Sequence, residues 1–125
     1  MNVPKDLKYS SDHEWLRVEG DEGYIGITDF AQNELGDIVF VEVDTVGDTL
    51  EKDEVFGTIE AVKTVSDLLL PVAGKIMEVN GRLEDEPELI NGHPYADGWI
   101  VKIKIHDLGE VENMLDAAAY KELIS

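Results

Sequence analysis

Two short segments rich in β-forming residues, 55–62 and 65–70, are separated by only two residues. The first alternates apolar and polar residues over most of its length, and a proline directly follows the second. Two such segments joined by so short a connection predict a β-hairpin. Lys63 lies in the connection, and the nearest basic residues along the chain are Lys52 and Lys75. We therefore expect one isolated lysine at the tip of a hairpin.

A lysine at a hairpin tip has two explanations. It can be a solvated charge that keeps the turn soluble, or an amine held out for covalent modification. The surrounding sequence favours the second explanation, because the order Gly-x-Ile, Glu-Val-Asp/Asn, Gly, Leu occurs on both sides of Lys63, within residues 36–50 and 74–83. A repeat of this kind predicts two like halves that pack face to face, with the lysine at a turn between them.

The rest of the chain predicts a mainly β fold with short helices, including helices at its end. Several short strands follow one another with turns every few residues, a pattern typical of a β-sandwich or barrel. We expect one domain over residues 1–125, with a core at about 7–105 and helices at about 107–124. Residues 1–8 are expected to be a loose lead-in. In the segment 38–43, the three valines are expected to share one face of a strand.

The net charge of −18 arises from 28 acidic and 10 basic residues. Such a surface is a poor partner for nucleic acid and for anionic membranes, and no apolar run is long enough to span a bilayer. The charge suits a soluble shuttle, expected to be a monomer, that meets basic docking faces on larger enzymes. The N-terminus shows no targeting pattern. We therefore expect the cytoplasm of a bacterium or archaeon, or the mitochondrial matrix if a transit peptide has been removed.

Three residues around Lys63 have a spacing that resembles the attachment region of lipoyl and biotinyl carrier domains. Gly47 stands sixteen residues before the lysine, Gly74 eleven after it and Glu60 three before it. An acidic residue at the position of Glu60 is similar to the one that favours lipoyl over biotinyl attachment in that family. A biotin carrier would show methionine on both sides of the lysine, where this chain has valine and threonine.

Further motifs narrow the resemblance to the H proteins of the glycine cleavage system, over roughly residues 7–123. These motifs are His13-Glu14-Trp15, Gly26-Ile27-Thr28-Asp29, Gly36-Asp37-Ile38-Val39 and Asp97-Gly98-Trp99. The resemblance implies a barrel-sandwich hybrid of two antiparallel sheets with the lysine on an exposed hairpin. It also implies a covalent carrier of an aminomethyl group, with lipoate attached to Lys63 and no catalytic function of its own.

The partners follow from the same resemblance. A pyridoxal-phosphate-dependent glycine decarboxylase (P protein) would load the carrier, and a tetrahydrofolate-dependent aminomethyltransferase (T protein) would take up the methylene group. Dihydrolipoyl dehydrogenase (L protein) would then reoxidise the carrier. A lipoyl-attaching enzyme would modify Lys63, guided by Glu60, Gly47 and Gly74. The two glycines are also explained as residues that turns require for their backbone geometry.

By this resemblance, Glu14, Asp67 and Asp12 are candidates for a pocket that holds the amine of the cargo and excludes water. In a chain with 28 acids, each is also explained as a solvated surface carboxylate. His13 is expected to be an ordinary strand residue that faces away from Glu14. The three histidines are far apart in the sequence and cysteine is absent, so we expect no metal site.

Three other functions stay open at this point. A related H-like protein that passes lipoyl groups to other complexes would use the same lysine. A small acidic enzyme using Glu14, His13 or Asp67 would turn over without partner enzymes. A small acidic structural adaptor would tolerate Lys63→Arg without any loss of function.

Overall fold

The computed structural model describes residues 1–125 as two antiparallel sheets, four short α-helices and one 3₁₀ helix. In chain order, the elements are β1 (Lys8–Tyr9), β2 (Glu14–Glu19), β3 (Glu22–Ile27), α1 (Asp29–Leu35), β4 (Ile38–Glu42), β5 (Thr49–Leu50), β6 (Val55–Ala61), β7 (Val65–Leu69), β8 (Gly74–Val79), the 3₁₀ helix (Gly81–Glu84), α2 (Leu89–Gly92), β9 (Val101–Ile105), α3 (Leu108–Glu112) and α4 (Ala117–Leu123). None of these helices combines the length and the apolar character needed to cross a membrane.

One sheet has six strands in the order β1-β2-β3-β9-β8-β5, and the other has three in the order β4-β6-β7. The sheets face each other across a cluster of 18 buried apolar residues. Ile25 and Ile103 enter it from the large sheet, and Ile59 and Leu68 from the small one. Successive side chains of a strand point to opposite faces, so alternating apolar residues supply this core. Neither sheet closes into a barrel, and the predicted mainly β sandwich with short helices is confirmed.

The first of the two similar segments, 36–50, contributes β4 to the small sheet and β5 to the large sheet, and the second, 74–83, contributes β8 to the large sheet. Gly36 ends α1 just before β4 of the small sheet, whereas Gly74 begins β8 of the large sheet. Both strands contribute to the same core, through Ile38 and Ile76. However, β5 of the first segment pairs with β8 of the second, so the two segments also meet side by side within the large sheet, and the predicted face-to-face packing holds only for β4 and β8.

The prediction of a loose lead-in at residues 1–8 is wrong. Val3 and Leu7 are buried with Tyr9 in a second apolar cluster, which also contains Tyr120 of α4. The ring of Tyr9 stacks on the ring of Tyr120, with 4.7 Å between their centroids. The segment is ordered because burial of these side chains against the C-terminal helix outweighs the entropy of a free chain end.

One of the three valines predicted to share a face of β4 does not point to the core. The pairing of β4 with β6 shifts register between Ile38 and Phe40. An irregularity of this kind re-aims the side chains on either side of it. As a result, Val39 is 45% exposed, whereas Val41 and Val43 pack against the core. Phe40 is also left exposed, on the outer side of the small sheet.

Candidate functional site

Lys63 lies at the tip of the β6–β7 hairpin, as predicted from the sequence. Glu60 pairs with Val65, and the N–H of Ala61 donates to the carbonyl oxygen of Thr64 at 2.8 Å, which closes the turn. The lysine side chain is exposed and forms no ion pair. Its amine is therefore open to reagents from solution.

The tip of the hairpin is fixed against the end of α1. The N–H of Val62 donates to the carbonyl oxygen of Asp37 at 3.0 Å. The Lys63 side chain lies across Gly36, where an added methyl group would be 3.4 Å from Lys63 Cε. Gly36 ends α1 with a φ of +83°, a conformation that glycine adopts readily. Because α1 has no basic residue in its last turn, the Lys63 ammonium supplies the positive charge favoured at this carbonyl end.

A cavity of about 380 Å³ lies beside the hairpin, between β6, β7, α1 and the segment around the start of β2. The apolar half of its lining consists of Ile27, Phe30, Ala31, Leu35, Ile59 and Leu68. The polar half consists of Asp12, His13, Glu14, Glu34, Ser66 and Asp67. The hairpin that bears Lys63 forms one wall, and the helix whose end Lys63 crosses forms another. The structure thus brings the three predicted pocket acids, Glu14, Asp67 and Asp12, into one cavity.

Glu14 is the buried acid of this cavity, with only 3% of its surface exposed. The hydroxyl of Ser10 donates to Glu14 Oε1 at 2.7 Å, and the backbone N–H of Glu14 donates to Ser10 Oγ at 3.1 Å. Burial raises the pKa of the Glu14 carboxyl to about 8, from an ordinary value of 4.5. The hydrogen bond from Ser10 opposes this rise in pKa, and nearby Asp12 adds to it. The Glu14 carboxyl is therefore mostly protonated near neutral pH.

Asp12 and Asp67 are the exposed acids of the cavity. With Glu14 they also line a wider cleft of about 430 Å³, which runs along the open edge of β7. The acids do not form a metal centre, since no group of three or more His, Cys, Asp or Glu residues is placed to hold an ion.

The prediction that His13 is an ordinary strand residue is wrong. It precedes β2 and has a left-handed backbone with a φ of 71°, which is uncommon for a residue with a side chain. Its Nδ1 lies 2.8 Å from the hydroxyl oxygen of Tyr120, which in turn lies 2.7 Å from Thr28 Oγ1. Burial lowers the pKa of His13, although Asp12 acts in the opposite direction. His13 is thus a neutral wall of the cavity near neutral pH, fixed by the C-terminal helix.

Sequence reasoning misses the part that Tyr120 plays at this site. Its hydroxyl connects α4 to the cavity wall, although 107 residues separate Tyr120 from His13. The sequence offers Thr28 or Asp29 as the cap of α1, and in the structure Thr28 is the cap, because its side chain accepts from the N–H of Ala31. No local pattern could have signalled a contact over so long a separation.

The three predicted attachment-signal residues do not gather around Lys63. Glu60 is exposed on β6, three residues before the lysine. Gly47 lies in a turn with a φ of +95°, and its N–H donates to a carbonyl oxygen of β8 at 2.7 Å. Gly74 is buried within β8, not at a turn as predicted, and a side chain there would collide with the carbonyl of Lys104. Of the three, only Glu60 offers a side chain to an approaching enzyme.

An isolated lysine at the exposed tip of a hairpin, on a two-sheet sandwich and beside a cavity, is typical of domains that carry a covalently attached group. A family model described as "Glycine cleavage H-protein" matches residues 7–125. The chain belongs to this family, and the family predicted from the sequence is confirmed.

Individual relatives are similar over almost the whole chain. The glycine cleavage system H protein of Bacteroides thetaiotaomicron is 58% identical over 125 residues, which cover 100% of this chain and 99% of the relative. That of Symbiobacterium thermophilum is 59% identical over 119 residues, or 95% of this chain and 93% of the relative. The crystal structure of a glycine cleavage system H protein from Mycobacterium marinum matches with a TM-score of 0.87 at 38% identity, covering 96% of this chain and 97% of that one.

Proposed function

We propose that this chain is the lipoylated carrier protein of the glycine cleavage system and has no catalytic function of its own. It shuttles the aminomethyl group of glycine from the pyridoxal-phosphate-dependent glycine decarboxylase to the tetrahydrofolate-dependent aminomethyltransferase, and dihydrolipoyl dehydrogenase then reoxidises it. The observation that carries the proposal is Lys63, an exposed amine on a fixed hairpin tip next to a cavity with apolar and acidic walls. Membership of the H-protein family supports the same role.

The surroundings of Lys63 fit a lipoyl group attached through an amide. The amine is exposed and forms no ion pair, so an attaching enzyme can reach it without first breaking an ion pair. Amide formation removes one positive charge from a chain whose net charge is already −18. The apolar half of the cavity lining suits a hydrocarbon chain. When attached, the group supplies a cyclic disulfide that accepts the aminomethyl cargo.

Glu14, Asp67 and Asp12 hold the amine of the cargo in the cavity. This amine is a cation near neutral pH, and hydrogen bonds between charged partners are stronger than those between neutral ones. A cation beside Glu14 lowers the pKa of its carboxyl from the raised value, because a nearby opposite charge favours the ionised form. Glu14 is therefore mostly neutral before the amine enters and becomes an anion once the amine is bound. The apolar walls keep water away from the cargo.

The lipoyl-attaching enzyme recognises the side chain of Glu60, whereas Gly47 and Gly74 support attachment indirectly, through the backbone. Gly47 provides the left-handed turn that bonds to β8, and Gly74 lets β8 approach β9 closely. A substitution at either glycine would act through the backbone of the sandwich rather than through a lost contact with the enzyme.

Residues 1–125 act as one carrier domain, in which the core at about 7–105 and the helices at about 107–124 are packed together. Trp15 and Leu16 are neighbours in β2, yet they belong to the second cluster and to the main core, respectively. This strand therefore connects the C-terminal helices to the sandwich. The cytoplasmic location and the monomeric state stay predictions.

Mass spectrometry tests the attachment site. Protein produced together with a lipoyl-attaching enzyme and lipoate should gain the mass of one lipoyl group, on a peptide that contains Lys63. Lys63→Arg should gain nothing, whereas Lys75→Arg, which changes another exposed lysine, should be modified like the wild type. A biotinyl increment, or an unmodified Lys63, would overturn the proposal.

Reconstitution with the three partner enzymes tests the carrier role. The lipoylated protein should support release of CO₂ from glycine, and Lys63→Arg should not. Lipoylation without glycine decarboxylation would indicate a protein that relays lipoyl groups to other complexes. An adaptor would function equally well with Lys63→Arg.

A further inference from the structure

The outer face of the small sheet carries an apolar patch that the carrier role described above does not use. Directly opposite residues of antiparallel strands point to the same side of a sheet. Phe40 pairs with Glu60, and Glu60 pairs with Val65, so these three residues form one row across β4, β6 and β7. Phe40 is 48% exposed and Val65 is 62% exposed. The row ends two residues from Lys63.

The apolar character continues from this row to the hairpin tip. Val62 directly precedes Lys63 and is 75% exposed. Single exposed apolar residues need no explanation, but exposed apolar residues on both sides of Glu60 and directly before the reactive lysine favour a contact surface here. On its other side, Phe40 borders a groove of about 240 Å³, which is also lined by Val79 and Leu83. This groove has room for an apolar side chain of a partner.

The charges around the row define the chemistry of that partner. Glu60 lies in the middle of the row, and the neighbouring row on the same side of the sheet consists of Glu42, Thr58 and Asp67. No basic residue belongs to either row, and the chain as a whole has a net charge of −18. A complementary surface has apolar side chains at its centre and lysine or arginine around them.

We propose that the row Phe40–Glu60–Val65 is the docking surface for the enzyme that attaches the lipoyl group to Lys63. The inference rests on the proposed function and extends the recognition surface from Glu60 to its apolar neighbours. The attaching enzyme acts before any arm exists, so it has to bind residues next to the Lys63 amine. Enzymes that act on the loaded protein can instead reach the cargo through a tether. The apolar members of the row supply the buried anchors that dominate binding energy in such interfaces.

Initial rates of lipoylation test this surface, with a purified lipoate–protein ligase, lipoate and ATP. Phe40→Ser and Val65→Ser should each lower kcat/KM by about tenfold, mainly through KM. Phe40→Leu keeps an apolar side chain and should stay within about threefold of the wild type. Val46→Ser is the matched control, because Val46 is also 48% exposed but lies near the start of β6, where its neighbour Thr45 donates to the carbonyl of Phe56.

Two further measurements separate weaker docking from other causes of slow lipoylation. Acetylation of Lys63 by a small acetylating reagent that reacts with amines should be equally fast in all variants. Equal rates would show that the hairpin is intact in each of them. Phe40→Ser that has been fully lipoylated by prolonged incubation should be reduced and reoxidised by dihydrolipoyl dehydrogenase at the wild-type rate.

Each contrary outcome has a defined meaning. The inference is overturned if Phe40→Ser and Val65→Ser are lipoylated as fast as Val46→Ser, or if their acetylation slows in parallel. A similar loss with dihydrolipoyl dehydrogenase would assign the face to partner docking in general and would also overturn it. These results leave the proposed function intact, whereas failure of the wild type to accept lipoate at Lys63 overturns the proposed function together with the inference.

Discussion

Replacing Glu14 by glutamine should flatten the dependence of folding stability on pH. The carboxyl has a pKa of about 8 in the folded protein, against an ordinary value of 4.5 for the unfolded chain. Below the lower value, both states are protonated. Between the two values, the unfolded chain loses this proton while the folded protein keeps it, so the folded state binds more protons and the wild type loses stability as the pH rises.

The size of this effect follows from the shift in pKa. One proton bound by the folded state and not by the unfolded state changes the free energy of unfolding by about 1.4 kcal/mol per pH unit. Over the whole interval between 4.5 and 8, the loss in the wild type is at most about 5 kcal/mol. Glutamine has nearly the same shape, can still accept the hydrogen bond from Ser10 and does not titrate. Glu14→Gln should therefore gain stability relative to the wild type, steadily, from about pH 5 to about pH 8.

Urea unfolding of the unmodified protein measures this difference, with the fluorescence of the buried Trp15 as the signal. Free energies of unfolding at about pH 5, 6, 7 and 8 should diverge between wild type and Glu14→Gln. Glu60→Gln, which changes an exposed acid, should run parallel to the wild type. Parallel curves for wild type and Glu14→Gln would refute the reasoning, because they would mean that Glu14 gives up its proton equally in both states.

Three other substitutions test separate parts of the structure. Lys63→Arg should leave the free energy of unfolding within about 0.5 kcal/mol of the wild type in urea, because the side chain is exposed; a larger loss would give Lys63 a structural role. Tyr120→Phe should lose about 1–2 kcal/mol in the same assay, because it removes the hydrogen bonds of the hydroxyl to His13 and Thr28 and leaves His13 Nδ1 without this partner. The half-exposed Tyr24 provides the control Tyr24→Phe, and equal losses in the two variants would contradict this account. Gly74→Ala should lower the free energy of unfolding by about 3 kcal/mol or more, because the added methyl collides with the neighbouring strand. Gly92→Ala is the control and should change it little, because the added methyl meets nothing within 4 Å. A wild-type melting temperature for Gly74→Ala would be incompatible with the close approach of β8 and β9.

Local sequence patterns were sufficient to predict the hairpin and the position of Lys63. Alternation of apolar and polar residues specifies which side of β6 is buried. A connection of only two residues between two strands is typical of a hairpin turn, in which the chain reverses its direction. The same local reasoning offers Thr28 or Asp29 as the cap of α1 and Gly36 as its end, and the structure has Thr28 as the cap and Gly36 as the end. Such features depend only on residues that are close together in the chain.

The state of Glu14 could not be predicted in this way. In the sequence it is one of 28 acids, and nothing next to it indicates burial. Its environment arises only when the β6–β7 hairpin and α1 pack around the start of β2. The side-chain contact of His13 and the burial of Val3 likewise depend on α4, which lies at the other end of the chain. Resemblance to a family predicted Glu14 as a site residue, but the burial that raises the pKa of its carboxyl is visible only in the folded structure.

The contact between the two ends of the chain has a consequence for how the protein folds and opens. Tyr9 and Leu115 exchange two backbone hydrogen bonds, of 2.8 and 2.9 Å, and so close a loop over most of the chain. Closing such a loop costs more conformational entropy than closing a local hairpin does, and the contact between Tyr9 and Leu115 is an isolated bridge rather than part of a longer ladder. We therefore expect the amide hydrogens of Tyr9 and Leu115 to exchange with solvent before those of Ile25 and Ile103 in the paired strands β3 and β9. Because Tyr120 of the same cluster contacts His13, such an opening would remove a contact of the cavity wall but none of the β6–β7 hairpin. We therefore expect warming to loosen the cavity wall before it unfolds the hairpin that bears Lys63.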